Sequence, residues 1–407
     1  MASQLVWRIA FTLGALLIYQ IGTHVPLPGI DPAVWARVSA TSGGVPRSLG
    51  LLSLTLTPYL TAALLAQMLV LVSHRLRSVV DAGERGRQRF ERYVRGGAIA
   101  LAAFQSYGIA TGLQRIGGVV ESPGPLFVIS TVLTLTAGVL FLVWLAEQIT
   151  LRGIGNGLAL ILFVGIATRL PDEVANTLSL YRIGAISPAE LRTYFLLAVA
   201  VVVVIVVMER AERRLPVRFA ARYSGGRTFA AQSSHLIYKV NPAGILPISI
   251  AALVLSVAVT AISVALFYVG GDRMGPTAGA IISVMAPGEP ANIAVMALVA
   301  GFLVLLYTAF VCDPAGAAEK LKRRGGTIVD VPPGEPTAEY LDGTLTRLAT
   351  IGAVYLVVVV LLADVLALRY PHVPYYIGGV ATLILVCVPL DIAAYLHAYR
   401  QQHDRTA

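Results

Sequence analysis

The stretch RTYFLLAVAVVVVIVVMERAERRLPVRFAAR, residues 192–222, decides the reading of this chain. An uncharged apolar run from Phe195 to Met208 stops at Glu209, and five arginines follow by Arg222. The hydrocarbon core of a bilayer is about 30 Å thick, so a helix of roughly 20 apolar residues crosses it. Residues 192–209 fit that length. Nine further apolar stretches resemble it, at 7–25, 53–72, 97–113, 126–148, 154–170, 244–268, 292–312, 346–365 and 375–397. The second contains Pro58 at its start, and the fifth is short and rich in glycine. The chain is 57% hydrophobic and 13% charged over 407 residues, with a mean hydropathy of +0.76. That is too little charge to cover the surface of a soluble protein of this size. The expected fold is therefore all-α and polytopic, with ten transmembrane helices.

Orientation follows from charge. Nineteen of the 31 Lys and Arg fall in 73–96, 210–243 and 313–347. With the N-terminus inside, 23 basic residues lie on the inner side and eight on the outer. The positive-inside rule then puts both termini in the cytosol. The first span has Arg8 at its start and Pro26 and Pro28 after it, with no small-residue cleavage site, so it reads as a retained helix. Cys312 and Cys387 lie in or at the end of spans and read as small buried apolar residues.

Ten spans divide into halves of five, 1–170 and 171–407. An odd number per half inverts the second half relative to the first, and inverted halves commonly enclose a path or site at their interface. Segment 171–191, with Pro171 and Pro188, is the candidate outer hinge. Arg outnumbers Lys by 28 to 3. Guanidinium groups pair bidentately with phosphate or carboxylate, although a codon bias would give the same ratio without explaining its concentration in three loops. The sequence has no Walker A loop, no HExxH, no paired carboxylates within a span and no Ser–His–Asp order. Glu147, Asp364 and Asp391 lie near span ends, leaving the span interiors almost free of charge. A secondary transporter with inverted repeats would place coordinating groups at the membrane midplane. A membrane-embedded lipid or glycan transferase would gather acidic or His residues at one face; here the six histidines are scattered. No enzyme chemistry, metal site or cofactor is expected.

A series of strings, in order and covering nearly the whole chain, resembles the SecY/Sec61-alpha family of protein-conducting channels. They are SGG at 42–44, TPYLTAALLAQ at 57–67, GERGR at 83–87, FQSYGIATGL at 104–113, WLAEQITLRGIGNGLALILF at 144–163, ERAERRLPVRFAAR at 209–222, AAQSSHLIYKVNPAG at 230–244, PGEPTAEYLDGTLTRL at 333–348, VPYYIGG at 373–379 and LDIAAY at 390–395. RGIGNG and KVNPAG are the most specific of them.

The resemblance implies two pseudo-symmetric inverted halves around a central hourglass pore, closed at its waist by a ring of apolar side chains. Such a ring excludes ions yet deforms around a passing chain. The matching positions are Leu60, Leu64, Leu162, Ile166, Ser249 and Ile384. Each of the pairs Leu60/Leu64 and Leu162/Ile166 is spaced i, i+4 and faces one way from its helix. Ser249 departs from the aliphatic usual in the family and is flanked by Ile248 and Ile250. The resemblance makes spans 53–72 and 244–268 a lateral gate into lipid, with Thr61, Gln67 and Ile250 at its faces. It makes 31–52 a shortened plug punctuated by Gly43 and Gly44. It makes 210–243 and 313–345 a docking surface for the ribosome and the SecA motor ATPase, through Arg213, Arg214, Arg218, Arg222, Lys322, Arg323 and Arg324. Where the family usually has an Arg before Pro-Gly, VDVPPGEP at 329–336 has Pro332, which predicts weaker motor coupling. The implied partners include SecE-like and SecG-like small subunits, nascent polypeptides with signal sequences, and membrane lipids. The implied location is the bacterial plasma membrane. A housekeeping channel and an accessory paralogue with few substrates are both compatible with these strings.

Overall fold

A computed structural model describes residues 2–41, 49–219, 222–224, 227–229, 232–241, 244, 247–252, 254–255, 258–259, 262, 279–280, 283–285, 289–369 and 379–404. These residues form two compact units, one of 1–169 with 388–407 and one of 170–387.

The first unit opens with α1 (Ala2–His24), α2 (Pro32–Thr41), α3 (Thr57–Val72) and α4 (His74–Asp81). It continues with α5 (Glu84–Gln114), α6 (Pro125–Arg152) and α7 (Gly157–Ala167). Helix α3 packs along α5, α5 along α6, and α6 against both α1 and α7. Small residues allow the first of these contacts: Ala62 packs against Val94 and Ala98, with Tyr59, Ala66 and Phe90 around them. In the connection from α1 to α3, Leu27, Ile30, Trp35 and Leu54 bury against Val119, Val120 and Phe127. Short bridges, Pro26 to Gly50 and Ile30 to Val120, fasten that connection.

The second unit comprises α8 (Leu170–Arg182), α9 (Pro188–Arg210), a small sheet region, α10 (Pro290–Val311), α11 (Pro314–Arg323) and α12 (Glu335–Arg369). Helix α13 (Gly379–Asp404) passes from the second unit into the first at Val388. Helix α9 starts on a full capping box. The Ser187 hydroxyl accepts from the Glu190 N–H at 3.2 Å, and the Glu190 carboxylate accepts from the Ser187 N–H at 2.8 Å. Two orphan donors of the first turn are thereby satisfied, and Pro188 sits where no N–H is needed.

Among the described residues, six helices are long and apolar enough to cross a membrane. The pair Thr57–Val70 and His74–Val80, bent by 109°, adds a seventh if it counts as one span. Their outer faces are apolar and bare, with Phe195 69% and Leu298 73% exposed. Patches of this kind mark a lipid-facing surface. The remaining expected spans differ in instructive ways. Stretch 97–113 is the second part of α5, whose first part carries five of the seven arginines expected in a loop; Arg75 and Arg77 lie on α4. The fifth span shortens from 154–170 to the 11 residues of α7, because a glycine turn takes up its start and α8 begins at Leu170 with Pro171 in its first turn. For 244–268, the described residues from Pro247 to Ile262 are helical where assigned.

The molecule is mostly helical, but the basic segment 210–243 is not a loop. Strands β1 (Glu212–Phe219) and β4 (Gln232–Lys239) pair antiparallel with Leu215 opposite Leu236. Between them, β2 (Arg222–Ser224) pairs with β3 (Arg227–Phe229). Strand β5 (Gly326–Ile328), from the other basic segment, joins the far edge of β1 with Val217 opposite Ile328, so the sheet order is β4-β1-β5.

Candidate functional site: a basic cap and the channel-lining positions

The two expected docking segments fold together into one basic cap. Its core is Leu215 and Val217 of β1, Ile328 of β5, Ala318 of α11 and Leu341 of α12, all buried. Phe219, Leu236, Tyr238 and Leu321 pack around it. Burial against this core pushes the Tyr238 phenol above its ordinary pKa. Alternation along β1 sends Leu215 and Val217 inward and leaves Arg214, Pro216 and Arg218 on the opposite face. Arg214 and Arg218 therefore share one exposed face with the residues cross-strand from them, Ile237 and Ser233, and with His235. Arg214 has an ion pair with Glu212 at 3.6 Å, with the guanidinium side chain 68% exposed. Such a pair contributes at most about 1 kcal/mol and leaves the charge available. Arg213 falls on the inward face of the strand but is itself exposed. Arg222 lies in β2.

Helix α11 supplies the second set. Asp313 caps its start, its carboxylate accepting from the Gly316 N–H at 2.8 Å. Lys320, Lys322 and Arg323 occupy the last turn, where positive charge offsets the helix dipole. Arg323 pairs with Glu319 at 2.6 Å one turn earlier, and Lys322, Arg323 and Arg324 are exposed. Pro332 is exposed on the turn into α12, where its carbonyl accepts from the Thr337 hydroxyl at 2.6 Å. Pro332, where the resemblance leads to the expectation of an Arg, is thus a solvent-facing point of the cap.

The RGIGNG string forms the turn from α6 into α7. Asn156 caps α7, its side-chain oxygen accepting from the Leu158 N–H at 3.0 Å and the Ala159 N–H at 3.4 Å. Gly155 has φ +68°, and a Cβ on Gly157 would run into the Ala146 carbonyl. The Thr12 hydroxyl of α1 accepts from the buried Ile154 N–H at 3.0 Å and donates to the Arg8 carbonyl at 2.9 Å. The turn thereby fixes where α7 begins, and with it Leu162 and Ile166.

Leu60 and Leu64 lie on α3, with Leu64 buried and Leu60 half-buried. Leu162 and Ile166 lie half-buried on α7. These four belong to the first unit, whereas Ser249 and Ile384, both half-buried, belong to the second. Thr61 and Gln67 are half-buried on α3, and Ile250 is buried. The Gln67 Oε1 is enclosed with no hydrogen-bond partner among the described residues. Gly43 and Gly44 lie outside the described residues. In the basic segment 73–96, Arg95 pairs with Glu147 of α6 at 2.6 Å.

Sequence reasoning missed the sheet and one polar cluster. The alternation Leu215, Val217, Phe219 was the available signal for β1, masked by Pro216 and by four charges in eight residues. The cluster joins Glu209 at the end of α9, Asn241 just after β4 and Tyr355 on α12.

Long helices with exposed apolar flanks, together with a folded basic cap in the second unit, define a polytopic membrane protein of the translocation-channel fold. The fold matches a SecY structure that addresses how the plug domain stabilises the closed state of the translocation channel. That match covers 97% of this chain and 92% of the other, with TM-score 0.67 and 16% identity. It also matches Sec61 in the canine ribosome–channel complex from the endoplasmic reticulum, covering 97% and 93%, with TM-score 0.60 and 15% identity. The SecY family model matches residues 50–393. The protein translocase subunit SecY of Escherichia coli strain K12 is 37% identical over 402 residues, 95% of this chain and 90% of that protein. Its Pseudomonas aeruginosa counterpart is 36% identical over 420 residues, 99% and 92%. The chain belongs to the SecY family.

Proposed function

We propose that this chain is the polypeptide-conducting subunit of a Sec-type translocon in a bacterial plasma membrane. It passes unfolded secretory proteins across the bilayer and releases membrane segments sideways into lipid. The observation that carries this reading is the similarity to curated SecY subunits along almost the entire chain. The positive-inside count supports cytosolic termini. The channel does no chemistry of its own; the driving energy comes from a SecA-like motor or a translating ribosome. SecE-like and SecG-like helices cover part of the lipid-facing surface.

Leu60, Leu64, Leu162 and Ile166, together with Ile384 and Ser249, form the waist in this reading. Leu162 and Ile166 gain support from the capped turn that sets the start of α7. Helix α3 and the helix beginning near Pro247 form the lateral gate, with Thr61, Gln67 and Ile250 at its faces. Gly43 and Gly44 belong to the plug. Arg213, Arg214, Arg218, Arg222, Lys322, Arg323 and Arg324 dock the ribosome or motor, supported by their exposure or placement on the cap. Pro332 and Ser249 favour a second reading, an accessory SecY with few substrates.

Vesicles holding this chain and a SecE-like partner should import a signal-bearing preprotein when a SecA motor and ATP are supplied. Cysteines placed at Leu64 and Ile250 and crosslinked should stop that import. Import that continues at full rate with the crosslink complete would exclude a gate between these helices. No import by the unmodified channel, with partner and motor active, would sink the channel reading itself.

A further inference from the structure

Helix α8 carries more apolar surface than its packing covers. At 3.6 residues per turn, Val174, Leu178 and Tyr181 fall within about 60° of one another around the helix. Val174 is 52% exposed, Leu178 41% and Tyr181 37%. Asn176 and Ser179 fall on the opposite side and are exposed. Thr177 is buried at the edge of the apolar arc, its hydroxyl donating to the Glu173 carbonyl at 2.9 Å. Leu180, beyond that edge, packs against Ile186 and Tyr194 at the start of α9 and is the α8 side chain in that cluster. Helix α8 is therefore fastened near its end, with its apolar arc bare. A helix of 13 residues is marginal in water on its own, so an arc of this kind needs a covering phase.

Two neighbouring helices fix the level at which α8 sits. Helix α9 runs 23 residues from Pro188, close to α8, to Arg210, where the chain turns into β1 of the basic cap. At 1.5 Å per residue its length is about 35 Å. On α12, Leu341 lies in the cap core and Leu366 in the α8 cluster. Along that one helix the two positions are about 38 Å apart. The hydrocarbon core of a bilayer is about 30 Å thick. Helices α9 and α12 thus carry the cap and α8 at opposite boundaries of one bilayer. At such a boundary an amphipathic helix lies in the plane with its apolar face about 5–10 Å into the acyl region. The first turns of α9 continue the apolar surface there, with Phe195 and Leu196 exposed. The Tyr181 ring suits this level, since tyrosine has an apolar body and a polar tip. Arg182, exposed in the last turn, offsets the helix dipole and matches a lipid phosphate.

We propose that α8 is an interfacial anchor on the side of the membrane away from the cap. Val174, Leu178 and Tyr181 lie among acyl chains, and Asn176 and Ser179 face water. Lipid is the occupant of the bare arc. The connection between the two halves of the chain is then held by a leaflet instead of hanging free in solvent. The inference rests on α9 and α12 spanning the bilayer, as the channel reading requires, and is independent of what the channel conducts.

The test uses the full chain, with Cys312→Ala and Cys387→Ala, in vesicles of phosphatidylethanolamine and phosphatidylglycerol with its SecE-like partner. The variants Val174→Cys, Leu178→Cys, Tyr181→Cys, Asn176→Cys, Ser179→Cys and, on α9, Val203→Cys each carry a nitroxide spin label. Collisions with oxygen, which concentrates in lipid, are compared with collisions with a water-soluble nickel complex. Labels at 174, 178 and 181 should gain oxygen collisions and lose nickel collisions, and labels at 176 and 179 should show the reverse. Nickel access at all five α8 positions would put the helix in water and overturn the anchor. Exclusion of both reagents from 174, 178 and 181 would mean that protein covers the arc, and would overturn it too. Oxygen without nickel on both faces would sink α8 into the hydrocarbon, again against the proposal. The Val203 label distinguishes the two levels of failure. In lipid beside a water-exposed arc, it overturns the anchor alone; reached by nickel, it overturns the spanning of α9 and the anchor with it.

Discussion

Reversing two charges on the outer face of β1 is the sharpest probe of the cap. Arg214 and Arg218 point away from the Leu215–Val217 core and share a face with His235 and Ser233. Their replacement by Glu removes only a 3.6 Å exposed ion pair to Glu212, so the cap should lose less than about 1 kcal/mol of stability. The effect on a polyanionic partner is much larger. Each cation near an anionic surface contributes about 1 kcal/mol, so two reversals cost about 4 kcal/mol at low salt, or about a thousandfold in affinity. The screening length is about 8 Å at physiological ionic strength, which reduces that loss. If the partner surface is ribosomal RNA, the log–log salt dependence should also flatten by about 1.5 units for two lost phosphate contacts. The assay is sedimentation of ribosomes with vesicles carrying R214E/R218E, across a salt series. Arg213→Glu serves as the comparison, since that residue belongs to the other face of the strand, and its effect should be smaller. Protease resistance of the cap monitors folding. Affinity within twofold of wild type on an intact cap would refute the assignment of this face to docking.

Two further outcomes are expected. Leu162→Ser or Ile166→Ser should raise ion conductance of the resting channel in planar bilayers, because a polar group at the waist lets water wet it; baseline conductance would remove both from the ring. Leu341→Ala, at a fully buried position of the cap core, should destabilise the cap by about 2–5 kcal/mol. Limited proteolysis should then cut between 210 and 243 at a lower temperature than in the wild type, with the spans intact.

The membrane class was legible because its cause is local. An apolar run of spanning length with arginines at its end, as at 192–222, has one favourable placement whatever surrounds it. RGIGNG was equally readable as a specific string, and its physics is short-range: a cap from Asn156, a left-handed Gly155, and no room for a Cβ at Gly157. The sheet was not legible. Pro216 sits inside the central strand, where proline normally argues against one. It is tolerated because β5 pairs only with Val217–Phe219, and because Pro216 uses its carbonyl, which accepts from the Val329 N–H at 3.3 Å. The same distance-dependence hid Glu209, which reads in sequence as one more charge at a span end. Its partners are 32 and 146 positions away.

Read from sequence alone, the chain is a multi-span membrane protein whose basic side is expected in the cytosol, with the motifs of a protein-conducting channel. Hydropathy, charge asymmetry and short motifs are properties of neighbouring residues. Tertiary structure decided that the two basic segments are one object, since β5 must cross more than a hundred residues of chain to pair with β1. It also decided which arginines share an exposed face, and that Glu209 accepts from Asn241 and Tyr355. Those are consequences of strand pleat and of close packing between distant elements, and no window of sequence contains them.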